Sequence, residues 1–78
     1  MPTVIQRDGF RVVIFLPPRE HGPAHVHVRK AGTEVVITLD PIGIRVVERM
    51  RAADVVQAVR LVEDNRAHLL KEWRKRHV

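Results

Sequence analysis

His25-Val26-His27-Val28-Arg29-Lys30-Ala31-Gly32-Thr33-Glu34-Val35-Val36-Ile37-Thr38-Leu39 is the stretch that decides the fold. Its first six residues alternate. Val26 and Val28 leave one side of an extended chain and His25, His27 and Arg29 the other, because successive side chains of a strand point to opposite faces. Ala31-Gly32 marks a turn. From Thr33 the chain reads as the partner strand, with Val35, Ile37 and Leu39 on one face and Glu34, Val36 and Thr38 on the other. Asp40-Pro41 ends it, since proline cannot donate to a ladder.

Working outward, Thr3-Val4-Ile5-Gln6-Arg7 is a short strand. Asp8-Gly9 after it is a strong two-residue hairpin signal. Phe10 to Leu16 is apolar on both faces at Val12-Val13-Ile14-Phe15, as an inner strand should be, and Pro17-Pro18 stops it. A polar loop runs to about Ala24. On the other side, Ile42 to Met50 reads either as a fifth strand over residues 44–48 or as an irregular approach to a helix. From about Ala53 the apolar period changes: Val55, Val59, Val62, Leu69 and Trp73 share one helical face, flanked by Val56, Ala58 and Leu70. Asp54 suits the first turn of a helix, and Lys71, Arg74, Lys75 and Arg76 suit the last. No Pro or Gly follows residue 44. A single helix over about 53–75 is therefore predicted, roughly 33 Å long, with basic C-terminal turns that overhang the body. The expected architecture is α+β: one domain over residues 1–78, an antiparallel sheet of four to five strands (3–7, 10–16, 25–30, 33–39 and the fifth over 44–48), then one long C-terminal α-helix.

At 78 residues, with no cysteine, two Phe, one Trp and no Tyr, the chain has no disulfide or thiolate metal site and a core of Val, Ile and Leu. A core this small often gains from a partner or a second copy, so a homodimer is one expectation. No run approaches the roughly 18 apolar residues of a membrane span, and Arg7 and Asp8 come too early for a secretory leader. The expected setting is the reducing cytoplasm, away from membranes. Fourteen Lys and Arg against nine Asp and Glu give a net charge of +5, which favours phosphate backbones or an acidic partner protein, or simply keeps the surface soluble.

Candidate chemistry centres on three of the five histidines, His21, His25 and His27, which lie within seven residues beside Glu20. His25 and His27 sit two apart on a strand, so they share a face about 6.5–7 Å apart. Two imidazoles so placed can act as base and acid in phosphodiester cleavage, or converge on a metal with His21, Glu20 or Asp40. They can also simply form the solvated face of an amphipathic strand. A metal needs His21 folded back by Gly22-Pro23, so metal-free use ranks higher and no cofactor is expected. Arg66 falls at the centre of the Val55/Val62/Leu69/Trp73 stripe. It is either an anion-binding group under a site, or half of an ion pair with Asp40 or Glu20, or part of a helix end that projects past the sheet. If the helix covers the Val26/Val28 face, the histidines lie on the opposite face and Arg66 cannot reach them. Arg11, Arg29 and Lys30 lie on strands near the histidines and can hold a nucleic-acid backbone. Phe10 and Phe15 are expected in the core, so no stacking platform for single-strand recognition is evident. No Gly-rich phosphate loop, nucleophile elbow or zinc-protease helix is present.

Met1-Pro2-Thr3-Val4, Asp8-Gly9-Phe10-Arg11, Glu20-His21-Gly22-Pro23-Ala24-His25-Val26-His27-Val28, Leu39-Asp40-Pro41, and Asn65-Arg66 through Leu69-Leu70-Lys71-Glu72-Trp73 together resemble a bacterial family of domains of unknown function, the one numbered 4160. The likeness covers nearly the whole chain. The family often carries two prolines before its His-Val-His, where this chain has Pro23-Ala24. The resemblance implies a small soluble prokaryotic protein whose gene commonly neighbours that of another small family, in pairs proposed as toxin–antitoxin modules. It implies a partnership and supplies no reaction. Glu20, His25, His27, Asp40 and Arg66 match its motif.

The expected function is therefore the toxin component of a type II toxin–antitoxin module, a ribonuclease that uses no metal. His25 and His27 would do acid/base work, Glu20 would orient a histidine, and Arg29 and Arg66 would meet phosphate. Its partners would be RNA and an antitoxin-like small protein from the neighbouring gene. The alternatives are a non-catalytic module that binds protein or nucleic acid (the antitoxin, or an adaptor) and a small histidine metal-binding protein.

Overall fold

Five strands, β1 (Thr3–Arg7), β2 (Phe10–Val13), β3 (His25–Lys30), β4 (Thr33–Leu39) and β5 (Ile42–Glu48), pair antiparallel in chain order, and α1 (Ala52–Asp64) and α2 (Arg66–Arg76) follow. The computed structural model describes residues 3–15 and 22–77. The meander follows from its turns. Asp8-Gly9 and Ala31-Gly32 both place two successive residues at positive φ (53° and 83°, 48° and 78°), the turn geometry whose twist matches that of the flanking strands. Gly32 takes this conformation without cost. Ala31 does not, at about 1–2 kcal/mol, and Thr33 Oγ1 helps hold the turn by donating to the Lys30 carbonyl at 2.6 Å.

A two-residue turn at 31–32 fixes the register Lys30↔Thr33, Arg29↔Glu34, Val28↔Val35, His27↔Val36. The sheet is thereby sorted into two faces. Phe10, Val12, Ile14, Val26, Val28, Val35, Ile37 and Leu39 line one and pack with Met50, Ala58, Leu61, Val62, Leu69 and Trp73. Burying each such aliphatic side chain contributes about 1.5–3 kcal/mol, whereas an exposed ion pair contributes about 0–1. This face therefore holds the fold, and the charge pairs tune it. β2 ends at Val13, short of the expected residue 16. Ile14 is still fully buried, while Leu16 and the Pro17-Pro18 stop lie outside the described residues. The fifth strand is formed in full over 42–48 and carries an extra residue, Arg45, between the pairs Ile37↔Ile44 and Val36↔Val46.

The single helix expected over 53–75 is two helices. Asn65 breaks it, with φ −117° and ψ 17°. Its side chain donates to the Leu61 carbonyl at 2.8 Å and its backbone N–H turns to Val62 O at 3.2 Å. Local bonding of this kind by Asn competes with the regular i→i−4 ladder. Arg66 then anchors the new direction: Nε donates to Leu39 O at 2.6 Å and Nη2 pairs with Asp40 Oδ1 at 2.9 Å. The chain after the break does not overhang. α2 runs from the exit of β4 to the start of β3, where Trp73 is only 8 % exposed. No helix among the described residues is long and apolar enough to cross a membrane.

Candidate functional site

The face opposite the core carries Arg11, Val13, His25, His27, Arg29, Glu34, Val36 and Thr38, in the rows Arg11↔Arg29↔Glu34 and Val13↔His27↔Val36. It is not a solvated histidine face. His25 is 3 % exposed and the His27 side chain 14 %. His25 Nδ1–H donates to the Pro23 carbonyl at 2.8 Å, which fixes its ring at the mouth of β3. The ring then lies 5.0 Å from Trp73 and 5.5 Å from His27, centroid to centroid, and His27 meets the Phe15 ring edge-on at 4.8 Å. α1 does cover the Val26/Val28 face, yet the turn at Asn65 lets α2 bring Trp73 round to a histidine of the other face. Arg66 stays with Leu39 and Asp40. Leu39 N–H donates to Ala24 O at 2.9 Å, so Arg66 is tied to the backbone just before His25.

Glu34 organises the centre of this face. Its Oε1 accepts from Arg29 Nε at 2.6 Å and its Oε2 from His27 Nδ1 at 3.2 Å. Because a carboxylate only accepts, the His27 hydrogen sits on Nδ1. Burial works to raise the Glu34 carboxyl. The hydrogen bonds from Arg29 and His27, and then their charges, outweigh it and hold the group below the ordinary glutamate value of 4.5. A depressed carboxylate stabilises the fold above its unfolded value and loses that contribution as the pH falls through its folded value. The denaturant midpoint is therefore expected to drop on acidification below about pH 4.5. Glu72, which Arg76 also depresses by a hydrogen bond, contributes to the same drop. The comparison is with Glu34→Gln, which should show the shallower acid limb; identical limbs would mean that Glu34 is not coupled to folding.

Arg11 and Arg29 are directly opposed across β2 and β3, a like-charge neighbour pair that costs stability unless something offsets it. Glu34 offsets Arg29 from one side. On the other, Arg11 makes a 3.4 Å bond from Nη2 to Thr3 Oγ1 and no ion pair among the described residues. These two arginines line one hollow of about 300 Å³ with Lys30, Glu34, Glu48 and the Ala31-Gly32 turn; Lys30 alternates to the α1 side of the sheet, so Arg11 and Arg29 are its cations on the histidine face. Lys30 Nζ reaches Asp54 at 3.2 Å and lies 4.8 Å from the Phe10 ring centre, while the Arg29 guanidinium lies 5.3 Å from that of Phe15.

The structure thus sets Arg11 beside Arg29, turns the Lys30 ammonium to Asp54 on the α1 side, sets His27 beside Arg29 through Glu34, buries His25, and leaves Arg66 with Asp40. Glu20 and His21 lie outside the described residues. Among those described, no three His, Asp or Glu side chains group as metal ligands. Glu34 is a site residue that the sequence pattern does not single out by type or motif. Counting back across the Ala31-Gly32 turn places it opposite Arg29, which was signal enough. Phe15, expected in the core, is half-buried against His27 and Arg29; counting by twos from Arg11 through Val13 puts it on their face, a signal hidden by the continuous apolar run from Val12 to Phe15.

A family model described as a domain of unknown function, DUF4160, matches residues 9–74. No curated protein and no solved structure matches the chain.

Proposed function

The chain belongs to the DUF4160 family of domains of unknown function, and from that premise we propose that it binds nucleic acid by its phosphate backbone. Arg11, Arg29 and Lys30 are the contacts, around the hollow beside the Ala31-Gly32 turn. One observation carries the reading: Arg11 and Arg29 are cross-strand neighbours, and among the described residues one carboxylate, Glu34, bonds to Arg29 and none to Arg11. A phosphate oxygen between the two guanidinium groups relieves their repulsion and takes charge-assisted bonds from both. RNA fits this chemistry as a backbone ligand, without base readout. The test is fluorescence anisotropy with a labelled RNA oligonucleotide over a range of salt. Affinity should fall steeply with salt. Arg11→Gln and Lys30→Gln should each weaken binding across sequences and lower the salt slope by about one. Binding that ignores both substitutions sinks the reading.

A second reading is supported by the His27–Glu34 pair next to Arg29: a metal-independent ribonuclease, the toxin of a bacterial toxin–antitoxin pair, with an antitoxin-like small protein as partner. His27, oriented by Glu34, takes the 2′-hydroxyl proton as that oxygen attacks the adjacent phosphorus, Arg29 meets the charge that builds on the phosphoryl oxygens, and the 5′-oxygen leaves with a proton from solvent. Expression in a bacterial host separates the two readings. Growth arrest by the chain, abolished by His27→Ala at matched soluble levels, supports cleavage. Binding without arrest leaves the module non-catalytic.

A further inference from the structure

β5 is the last strand of the sheet, with no strand paired to its outer side among the described residues. Its aliphatic side chains are about half exposed, Ile44 at 53 %, Val46 at 44 % and Val47 at 47 %, and so is Val56 on α1 at 51 %. Ile44, Val55, Val56 and Val59 line a hollow of about 330 Å³ between strand and helix, rimmed by Arg60 and Glu63. A single exposed valine needs no explanation. Four large aliphatics along one edge, beside an open row of backbone N–H and C=O groups, mark a place where another chain docks.

Charge indicates the occupant. Arg45, Arg49, Arg51 and Arg60 are exposed around this edge, and among the described residues only Arg51 is ion-paired, with Asp54 at 3.7 Å. Glu48 and Glu63 are the opposing charges. A second copy would set these arginines against their own mates, on a chain that already carries +5. A lipid surface would cover the valines but leave the β5 backbone groups without partners. An incoming strand satisfies them.

We propose that the β5 edge and its hollow with α1 receive an extended acidic segment of another protein. The segment adds to β5 as a sixth strand, seats aliphatic side chains against Ile44 and Val56, and presents carboxylates to Arg45, Arg49 and Arg60. The surface shares only Glu48 with the phosphate hollow, so the proposal does not depend on the nucleic-acid reading.

The probes are two labelled synthetic peptides, one alternating valine with glutamate and the other valine with lysine, titrated into the full chain. The acidic peptide should bind in a salt-sensitive manner at least tenfold more tightly than the basic one, and β5 amides should gain hydrogen-exchange protection. Ile44→Glu should abolish binding, and Arg45→Glu with Arg60→Glu should reverse the preference; all three side chains are exposed, and circular dichroism checks that the variants fold. Failure of both peptides, equal binding of both, or indifference to Ile44→Glu overturns the proposal. So does a dimer in sedimentation that Ile44→Glu dissociates, which would make the edge a self-interface. Flotation with phosphatidylserine vesicles that the same substitution abolishes would make it a membrane surface and would overturn the proposal too.

Discussion

Trp73→Ala should leave the protein largely unfolded at room temperature. The indole is 8 % exposed, lies 5.0 Å from the His25 ring, and stacks on His77 at 3.6 Å with the planes 13° apart. It also belongs to the core cluster with Leu69, so it is the contact through which α2 meets both faces of the sheet. Truncating a buried Trp to Ala costs about 3–5 kcal/mol. A single core in a chain of this size rarely supplies more than about 3–5 kcal/mol in total, so the substitution consumes most of the stability. At about 4–8 °C per kcal/mol, the thermal midpoint should fall by more than about 12 °C. Trp73→Phe, which keeps a ring against His25, should lose much less. Thermal melts followed by far-ultraviolet circular dichroism decide it, and an unchanged midpoint in Trp73→Ala would mean that α2 docks by other contacts.

His25→Ala is the second large effect, and it bears on every assay of the histidine face. His25 is 3 % exposed, donates to the Pro23 carbonyl, and has its ring between Trp73 and His27. Removing the ring opens a cavity and strands a buried carbonyl acceptor, at about 2–4 kcal/mol. His27→Ala removes a ring at the partly exposed edge of the same cluster, and its cost should be about half or less. Denaturant titration of the two variants should therefore show a clear midpoint difference. If His25→Ala proves as stable as the parent, the packing role fails, and a loss of function in that variant becomes evidence for chemistry at His25. If the difference appears, loss of function in His25→Ala reports unfolding, and His27→Ala is the variant that interrogates the site.

Much of this was legible in the residues, for reasons that differ from element to element. The β3–β4 hairpin combines period-two alternation with a two-residue turn, and those two signals determine register together; that register puts Glu34 opposite Arg29. The Asp8-Gly9 hairpin was legible in the same way. The break in the helix was not, because neither Pro nor Gly marks it. It arises from an Asn side chain folding back on Leu61 O and from Arg66 finding Leu39 O and Asp40 at the end of β4; the pairing with Asp40 is among the sequence readings of Arg66, but the bend it holds exists only in the tertiary structure. The burial of His25 was hidden for the same reason. Alternation assigns a side chain to a face but does not tell what covers that face. Trp73 covers His25 only because the helix turns at Asn65.

Arg66 and Trp73 also constrain how the chain can change in length. They lie seven residues apart on α2, close to two full turns of 3.6 residues, so both anchors fall on one side of the helix and reach the exit of β4 and the start of β3 together. Ala67, His68 and Lys71 between them are exposed and make no such contact, so most substitutions there are cheap. One residue inserted or removed in this interval rotates Trp73 by about 100° relative to Arg66, and no rotamer recovers that. The segment is therefore free to vary at these exposed positions, held at Leu69, which is fully buried, and closed to changes in length.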